Sequence, residues 1–271
     1  MEPDRGVASF AGHPIAAAPP SAHVTIRGLT KRFADALVYD GFDLDIPHGE
    51  LIAIFGPNGC GKSTLMNMVA GLIPADAGEI LFDGKPLRAI KLGYVFQNYR
   101  EALFPWLRAI GNIEYPLALM KLAKAERRRR VDALVAHLGV DIDLARYPYE
   151  LSGGQQQLVS IMRALVVEPE ILFLDEPFSA LDYEMTLFMR DQLQRLFVRT
   201  RTTTVLVSHD LEEAVYLADR ILLLSRRPAT IADYVAFDAA RPRTDATLSA
   251  PDFVRLKAHC LAVFQREVRK G

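Results

Sequence analysis

Lys62 and Ser63 close the segment Gly56-Pro57-Asn58-Gly59-Cys60-Gly61-Lys62-Ser63-Thr64, whose spacing of glycines, ammonium and hydroxyl suits a nucleotide's phosphates. Glycines let backbone N–H groups close around phosphate oxygens, the lysine reaches the β- and γ-phosphates, and the Ser63 hydroxyl is a ligand for Mg²⁺. Every fixed position of G-x-x-x-x-G-K-[ST] is filled. The second candidate pair is Asp175-Glu176, at the end of the apolar run Ile171-Leu172-Phe173-Leu174. Asp175 is placed to hold Mg²⁺ directly or through water, and Glu176 to orient and deprotonate an attacking water. Side chains alternate along a strand, so the two carboxylates can take different tasks. Between the two groups stands Leu151-Ser152-Gly153-Gly154-Gln155.

These residues need strands and helices to hold them. Leu51 to Phe55 reads as a short buried strand running into the glycine loop, and Lys62 to Leu72 as the helix after it. Phe42, Leu44 and Ile46 alternate at strand spacing inside the stretch from Val24 to Ile46. Ile80–Phe82 and Leu92–Phe96 read as strands joined through the turn Asp83-Gly84. Residues 104–150 carry no strand pattern; Arg108–Met120 and Lys124–Leu138 are helix-like. After Gln155 the pattern alternates: helix to Val167, strand Ile171–Leu174, helix Glu184–Thr200, strand Thr204–Val207, helix Leu211–Ala218, strand Ile221–Leu224. Such alternation implies a mostly parallel sheet covered on both faces.

The chain has 271 residues, half of them apolar, and a net charge of −1. That balance argues against a general affinity for nucleic acid or anionic lipid. No apolar run reaches the roughly 18 to 20 residues that span a bilayer. Residues 1–22 are Ala- and Pro-rich and read as a disordered arm. Arg127-Arg128-Arg129-Arg130 lies between Glu126 and Asp132 on an amphipathic helix and reads as a solvated face. Cys60 reads as a small residue of the loop, and Cys260 as a packed thiol on the apolar face of a C-terminal helix. His13, His23, His48, His137 and His259 have no metal-ligand spacing and are assigned no chemistry.

In combination these motifs resemble the ATP-binding cassette family over about Val24 to Leu224. Gln97, Ser179-Ala180-Leu181-Asp182 and His209 fall where that family has its Q-loop, D-loop and switch histidine, and Phe33 where an aromatic stacks on adenine. The resemblance implies an α/β P-loop NTPase cassette with a mostly parallel core sheet, an N-terminal antiparallel β part and a helical insertion. It divides the chain into the arm 1–22, a cassette at 23–240 with a helical subdomain at about 104–167, and a tail at 241–271 with one helix. It implies ATP and Mg²⁺ as cofactors, with Ser63, Gln97 and Asp175 toward the metal. Glu176, His209, Gln97 and Lys62 are the implied catalytic set. It also implies that two cassettes pack head to tail, so that Ser152, Gly153, Gly154 and Gln155 of one meet the γ-phosphate held by the loop Gly56–Thr64 of the other. The departure is Gln156-Gln157, where family members commonly carry basic residues.

The wording Leu103-Phe104-Pro105-Trp106 with Asn112-Ile113, and the tail Arg241-Pro242-Arg243-Thr244 with Pro251-Asp252-Phe253, resemble the cassettes of nitrate, sulfonate, taurine and bicarbonate importers. The implied partners are a second ATP-binding subunit in a homodimer or heterodimer, transmembrane permease subunits, and indirectly a periplasmic solute-binding protein; no nucleic acid is expected. The implied place is the cytoplasmic face of the cell membrane. Phe104 and Trp106 are read either as a surface for a permease helix or as packing of the helical insertion. The alternative class is a non-transport cassette ATPase of DNA repair, translation or cofactor assembly. A lone nucleotide kinase or GTPase would leave Leu151–Gln155 and His209 unexplained.

Overall fold

The computed structural model describes residues 8–9, 22–87, 90–179 and 181–270. They form two compact units, Met1–Ile90 with Phe197–Gly271, and Lys91–Leu196.

The first unit carries an antiparallel sheet and the parallel strands Leu51–Phe55, Thr203–Val207 and Arg220–Leu224. Strands β2 (Ala22–Phe33) and β3 (Ala36–Pro47) pair antiparallel, and β5 (Ala77–Phe82) joins the other edge of β2. Val24, Ile26 and Leu29 of β2 are fully buried, as alternation demands of one covered face. The other sheet contains β4 (Leu51–Phe55) between β8 (Thr203–Val207) and β9 (Arg220–Leu224), all parallel. These strands are buried runs of Leu, Ile and Val, the composition of a sheet covered on both faces. The edge is extended by β10 (Ile231–Ala236), antiparallel to β9, and by the two-residue β1 (Ala8–Ser9), parallel to β10. Sequence patterning missed β10: its Ala, Asp and Tyr residues do not alternate, and a register shift at Ile231–Asp233 blurs the period further. Of the expected disordered arm 1–22, Ala8–Ser9 and Ala22 are strand, and the other residues lie outside the described ones.

Helices α1 (Lys62–Val69), α7 (Leu211–Leu217) and α9 (Pro251–Arg269) belong to the same unit. Phe253, Leu256, Cys260 and Val263 are the buried stripe of α9, and burial pushes the Cys260 thiol up to about 12. The tail's arginines have a structural task. Arg243 is 2% exposed and donates to the carbonyls of Tyr216 and Ala218 at 2.9 and 2.7 Å, capping the end of α7. Arg241 pairs with Asp219, whose other oxygen accepts from the Leu51 N–H at 2.9 Å, at the entry to β4.

The second unit holds β6 (Leu92–Val95) parallel to β7 (Ile171–Asp175), with α2 (Tyr99–Ala102), α3 (Ala109–Leu119), α4 (Lys124–Leu138), α5 (Gly153–Leu165) and most of α6 (Tyr183–Thr200). The expected turn at Asp83-Gly84 is present, but it does not make a hairpin of its flanking strands. β5 ends in the antiparallel sheet and β6 pairs elsewhere. The arginine run is a solvated face only in part: Arg128 and Arg129 are exposed, while Arg127 and Arg130 are half-buried, with Arg127 against Glu114, Arg128 on Asp132, and Arg129 and Arg130 on Glu126. The two guanidiniums hold the Glu126 carboxyl well below its usual range, at about 2.

Candidate functional site

The phosphate loop begins where β4 ends. Pro57 and Gly56 are buried while Asn58 and Gly59 face solvent. Gly61 has φ +125°, and a Cβ there would lie 2.7 Å from Val38 Cγ1 and 3.0 Å from Tyr39, so only glycine fits this bend. The Tyr39 hydroxyl donates to the Gly61 carbonyl at 3.0 Å and fixes the entry to α1. Lys62 Nζ donates to the Gly56 and Pro57 carbonyls at 2.9 and 3.2 Å, folding over its own loop. Ser63 and Thr64 are the next residues of α1, half-buried. Cys60 is a packed thiol, 2% exposed, and burial raises its pKa.

His209 belongs to the same unit. It is exposed, two residues beyond β8, whose Val207 registers with Ile54 of β4. Parallel strands end on one side, so the phosphate loop and His209 leave the same edge of this sheet. Its neighbours hold the loop. Asp210 caps α7 by accepting from the Glu212 and Glu213 N–H groups, and Ser208 donates to Glu213 at 2.8 Å. Phe33 is 46% exposed, with the Lys31 ammonium 5.1 Å from its ring centroid. The ammonium lies over one ring face, and the side chain is otherwise nearly half exposed.

The second unit brings Gln97, Asp175 and Glu176 together. Val95 registers with Leu174, so the residues after β6 and β7 emerge side by side. Gln97 Nε2 donates to Glu176 Oε2 at 2.9 Å. Asp175 is buried at the end of β7. Glu176 has φ +48°, a left-handed conformation that ends the strand alternation after Asp175. Sequence reading missed Tyr94. This phenol is pushed above its ordinary range, first by burial and then by the charge and hydrogen bond of Asp175. Its ring packs on Phe96 and Phe173.

Ser152 is the N-cap of α5. Its hydroxyl accepts from the Gln155 N–H at 3.3 Å, and Gln155 Oε1 accepts from the Ser152 N–H at 3.1 Å, a reciprocal capping box. Gly153 and Gly154 open the helix, presenting backbone N–H groups and the positive end of its dipole. Buried Leu158, Val159, Ile161 and Met162 dock α5. At the departure Gln156-Gln157 the Gln156 amide donates to the Leu151 carbonyl at 3.0 Å. Gln157 is 2% exposed and donates to the Pro177 carbonyl at 2.8 Å, tying α5 to the residue after Glu176.

A cavity of about 320 Å³ in this unit is lined by Phe96, Ala102, Phe104, Tyr115 and Arg163, among others. Phe104 is half-buried, 5.4 Å from the Trp106 ring and 4.6 Å from Tyr115, while Trp106 is 71% exposed. Asn112 is fully buried and holds this loop. It accepts from the Phe104 N–H at 2.8 Å and donates to the carbonyls of Phe104 and Leu107.

A family model described as ABC transporter matches residues 39–179. The chain belongs to the ABC transporter family. It is 38% identical over 236 residues to a putative ATP-binding protein of Brucella abortus, covering 86% of this chain and 90% of that one. It is also 38% identical over 253 residues to the sulfate/thiosulfate import ATP-binding protein CysA of Burkholderia mallei, covering 85% and 72%. A solved dimeric structure of a post-hydrolysis state of an ATP-binding cassette, bound to ADP and Pi, matches with a TM-score of 0.70 at 30% identity, covering 80% of this chain and 100% of that one. The fold is the P-loop NTPase cassette, and the chain is an ABC ATPase, a subunit that binds and hydrolyses ATP. Among the described residues no helix is long and apolar enough to cross a membrane.

Proposed function

We propose that this ABC ATPase drives uptake of a small anion or related solute through a membrane permease, in an importer of the nitrate, sulfonate, taurine or bicarbonate kind. The likeness to a sulfate/thiosulfate import protein supports an oxyanion importer, and the resemblance of Leu103–Trp106 and of the tail supports the narrower group. Import relatives favour this reading over a non-transport cassette in DNA repair, translation or cofactor assembly.

In this reading the backbone of Gly56–Thr64 and the Lys62 ammonium bind the phosphates, and Phe33 stacks on adenine. Ser63, Gln97 and Asp175 offer hard oxygen donors that fit Mg²⁺, and the buried Asp175 with its Tyr94 hydrogen bond is a preset ligand. Bound Mg²⁺ would neutralise charge developing on the phosphate oxygens. Glu176 takes the proton of the attacking water, and His209 contacts the γ-phosphate. Ser152, Gly153, Gly154 and Gln155 serve the nucleotide of a second ATP-binding subunit in a homodimer or heterodimer. The cavity beside Phe104 and Trp106 receives a permease segment, which would hold the protein peripherally at the cytoplasmic face of the membrane. A periplasmic solute-binding protein would act through the permease.

The observation that carries the mechanism is the Gln97–Glu176 hydrogen bond. It joins the residue that senses the metal to the residue that activates water, so nucleotide binding at one changes the other. Glu176→Gln keeps the side-chain shape and removes the base. Its ATP turnover should fall about 10²- to 10⁴-fold while ATP binding persists. Turnover near that of the unaltered chain would remove Glu176 from this role.

A further inference from the structure

We infer that His23, His48 and Asp83 form a binding site for a divalent transition-metal ion of the Zn²⁺ class, apart from the ATP site. Their spacing of 25 and 35 residues hides them in the sequence, and the antiparallel sheet brings them together. Ala22 of β2 registers with Pro47 of β3, and Val24 with Phe82 of β5. His23 on β2, His48 in the turn after β3 and Asp83 in the turn after β5 therefore meet at one end of the sheet. The Asp83 N–H donates to the His23 carbonyl at 2.9 Å, which anchors the turn.

One ligand atom from each of the three residues lies within 4.8 Å of the others. The two imidazoles address one carboxylate: His48 Nε2 is 2.5 Å from Asp83 Oδ1, and His23 Nε2 is 3.9 Å from Asp83 Oδ2. His23 is 3% exposed and already oriented, with Nδ1 2.7 Å from the Thr203 hydroxyl oxygen. That oxygen also accepts from the Gly49 N–H at 2.9 Å. A ligating histidine is held this way, with its second ring nitrogen fixed by an outer partner. If Nδ1–H donates to Thr203, the Nε2 lone pair faces the carboxylate, and a cation between them turns that repulsion into two bonds. Two imidazoles and one carboxylate, with room for water as a fourth ligand, are a donor set that suits Zn²⁺.

The rings are stacked, 4.2 Å between centroids and 9° from parallel. One ion cannot lie in the plane of both, so capture requires the His48 ring to turn out of the stack. The His48 side chain is 43% exposed and sits in a turn, which leaves it room to do so. The site lies before β4 and the phosphate loop follows β4, so the length of a five-residue strand, about 17 Å, separates them. An ion here would pin the ends of β2, β3 and β5 to one another and, through Thr203, to β8.

The test is calorimetric titration of the full chain with ZnCl₂, free of nucleotide and chelator, alongside His48→Gln, Asp83→Asn and, as a control, His137→Gln. The site predicts one Zn²⁺ per chain in the unaltered protein and in the control, with affinity about 10- to 100-fold lower in the other two variants. At equal Zn²⁺ concentration, the melting temperature of the unaltered chain should rise more than that of those two variants. Both substitutions are at exposed side chains. Co²⁺ added to the unaltered chain gives a readout that needs no variant: the intense visible bands of four-coordinate Co²⁺ support the site. Equal isotherms for all four proteins, no heat beyond dilution, or a Co²⁺ spectrum like that of the aqueous ion would each overturn it.

Discussion

At the scale of single residues, chemistry depends on what each carboxylate touches. Asp175 and Glu176 are adjacent in sequence, yet one is buried at a strand end beside a phenol and the other sits in a left-handed turn bonded to Gln97. Tyr94→Phe removes the phenol from Asp175 and leaves the ring packing on Phe96 and Phe173. A hydrogen bond to a charged group contributes about 1.5 to 3 kcal/mol, so the Mg²⁺ concentration for half-maximal ATPase should rise by about tenfold or more. An unchanged Mg²⁺ midpoint would show that the phenol does not position Asp175. The phosphate loop was legible because its glycines are fixed by backbone geometry, as Gly61 illustrates at φ +125°. Tyr94 was not, because nothing in a single strand marks which neighbouring strand its hydroxyl meets. The stacked His23–His48 pair was hidden for the same reason.

At the scale of elements, helix patterning was legible wherever a buried stripe dominates. α5 and α9 show their stripes plainly, and Lys124–Leu138 matches to the residue although only Val131 and Leu138 of it are buried. Short edge pieces were not: β10 lacks alternation, and α2 and α8 (Asp245–Leu248) are single turns too short to show a period. The loop Leu103–Arg108 is irregular, and its order comes from the buried amide of Asn112. Asn112→Ala would strand the Phe104 N–H and several carbonyls. It should cost about 2 to 3 kcal/mol in urea unfolding, with the greatest loss of hydrogen-exchange protection at Phe104. A cost near zero would mean that ring packing, not the amide, holds the loop. The tail motif also gains a physical account at this scale, since Arg241 and Arg243 tie the end of α7 to the entry of β4.

At the scale of the whole molecule, the capped start of α5 places two glycines and a serine at a helix N-terminus, where the dipole and free N–H groups favour an anion. In the proposed function that helix end serves the nucleotide of a second subunit. Glu176→Gln, which should hold ATP without consuming it, turns this into a mass measurement. With Mg²⁺ and ATP the variant should double in mass by size-exclusion chromatography with light scattering. A second substitution in the same chain, Gly154→Asp, sets a carboxylate against the γ-phosphate. A Cβ at that position meets Leu181 and Met185 at 3.5 and 3.6 Å, ordinary contact, so the fold accommodates it. The double variant should bind ATP and remain at single mass. A double variant that still doubles in mass, or a Glu176→Gln chain that binds ATP and stays single, would contradict the assignment of Ser152–Gln155 to the partner's nucleotide.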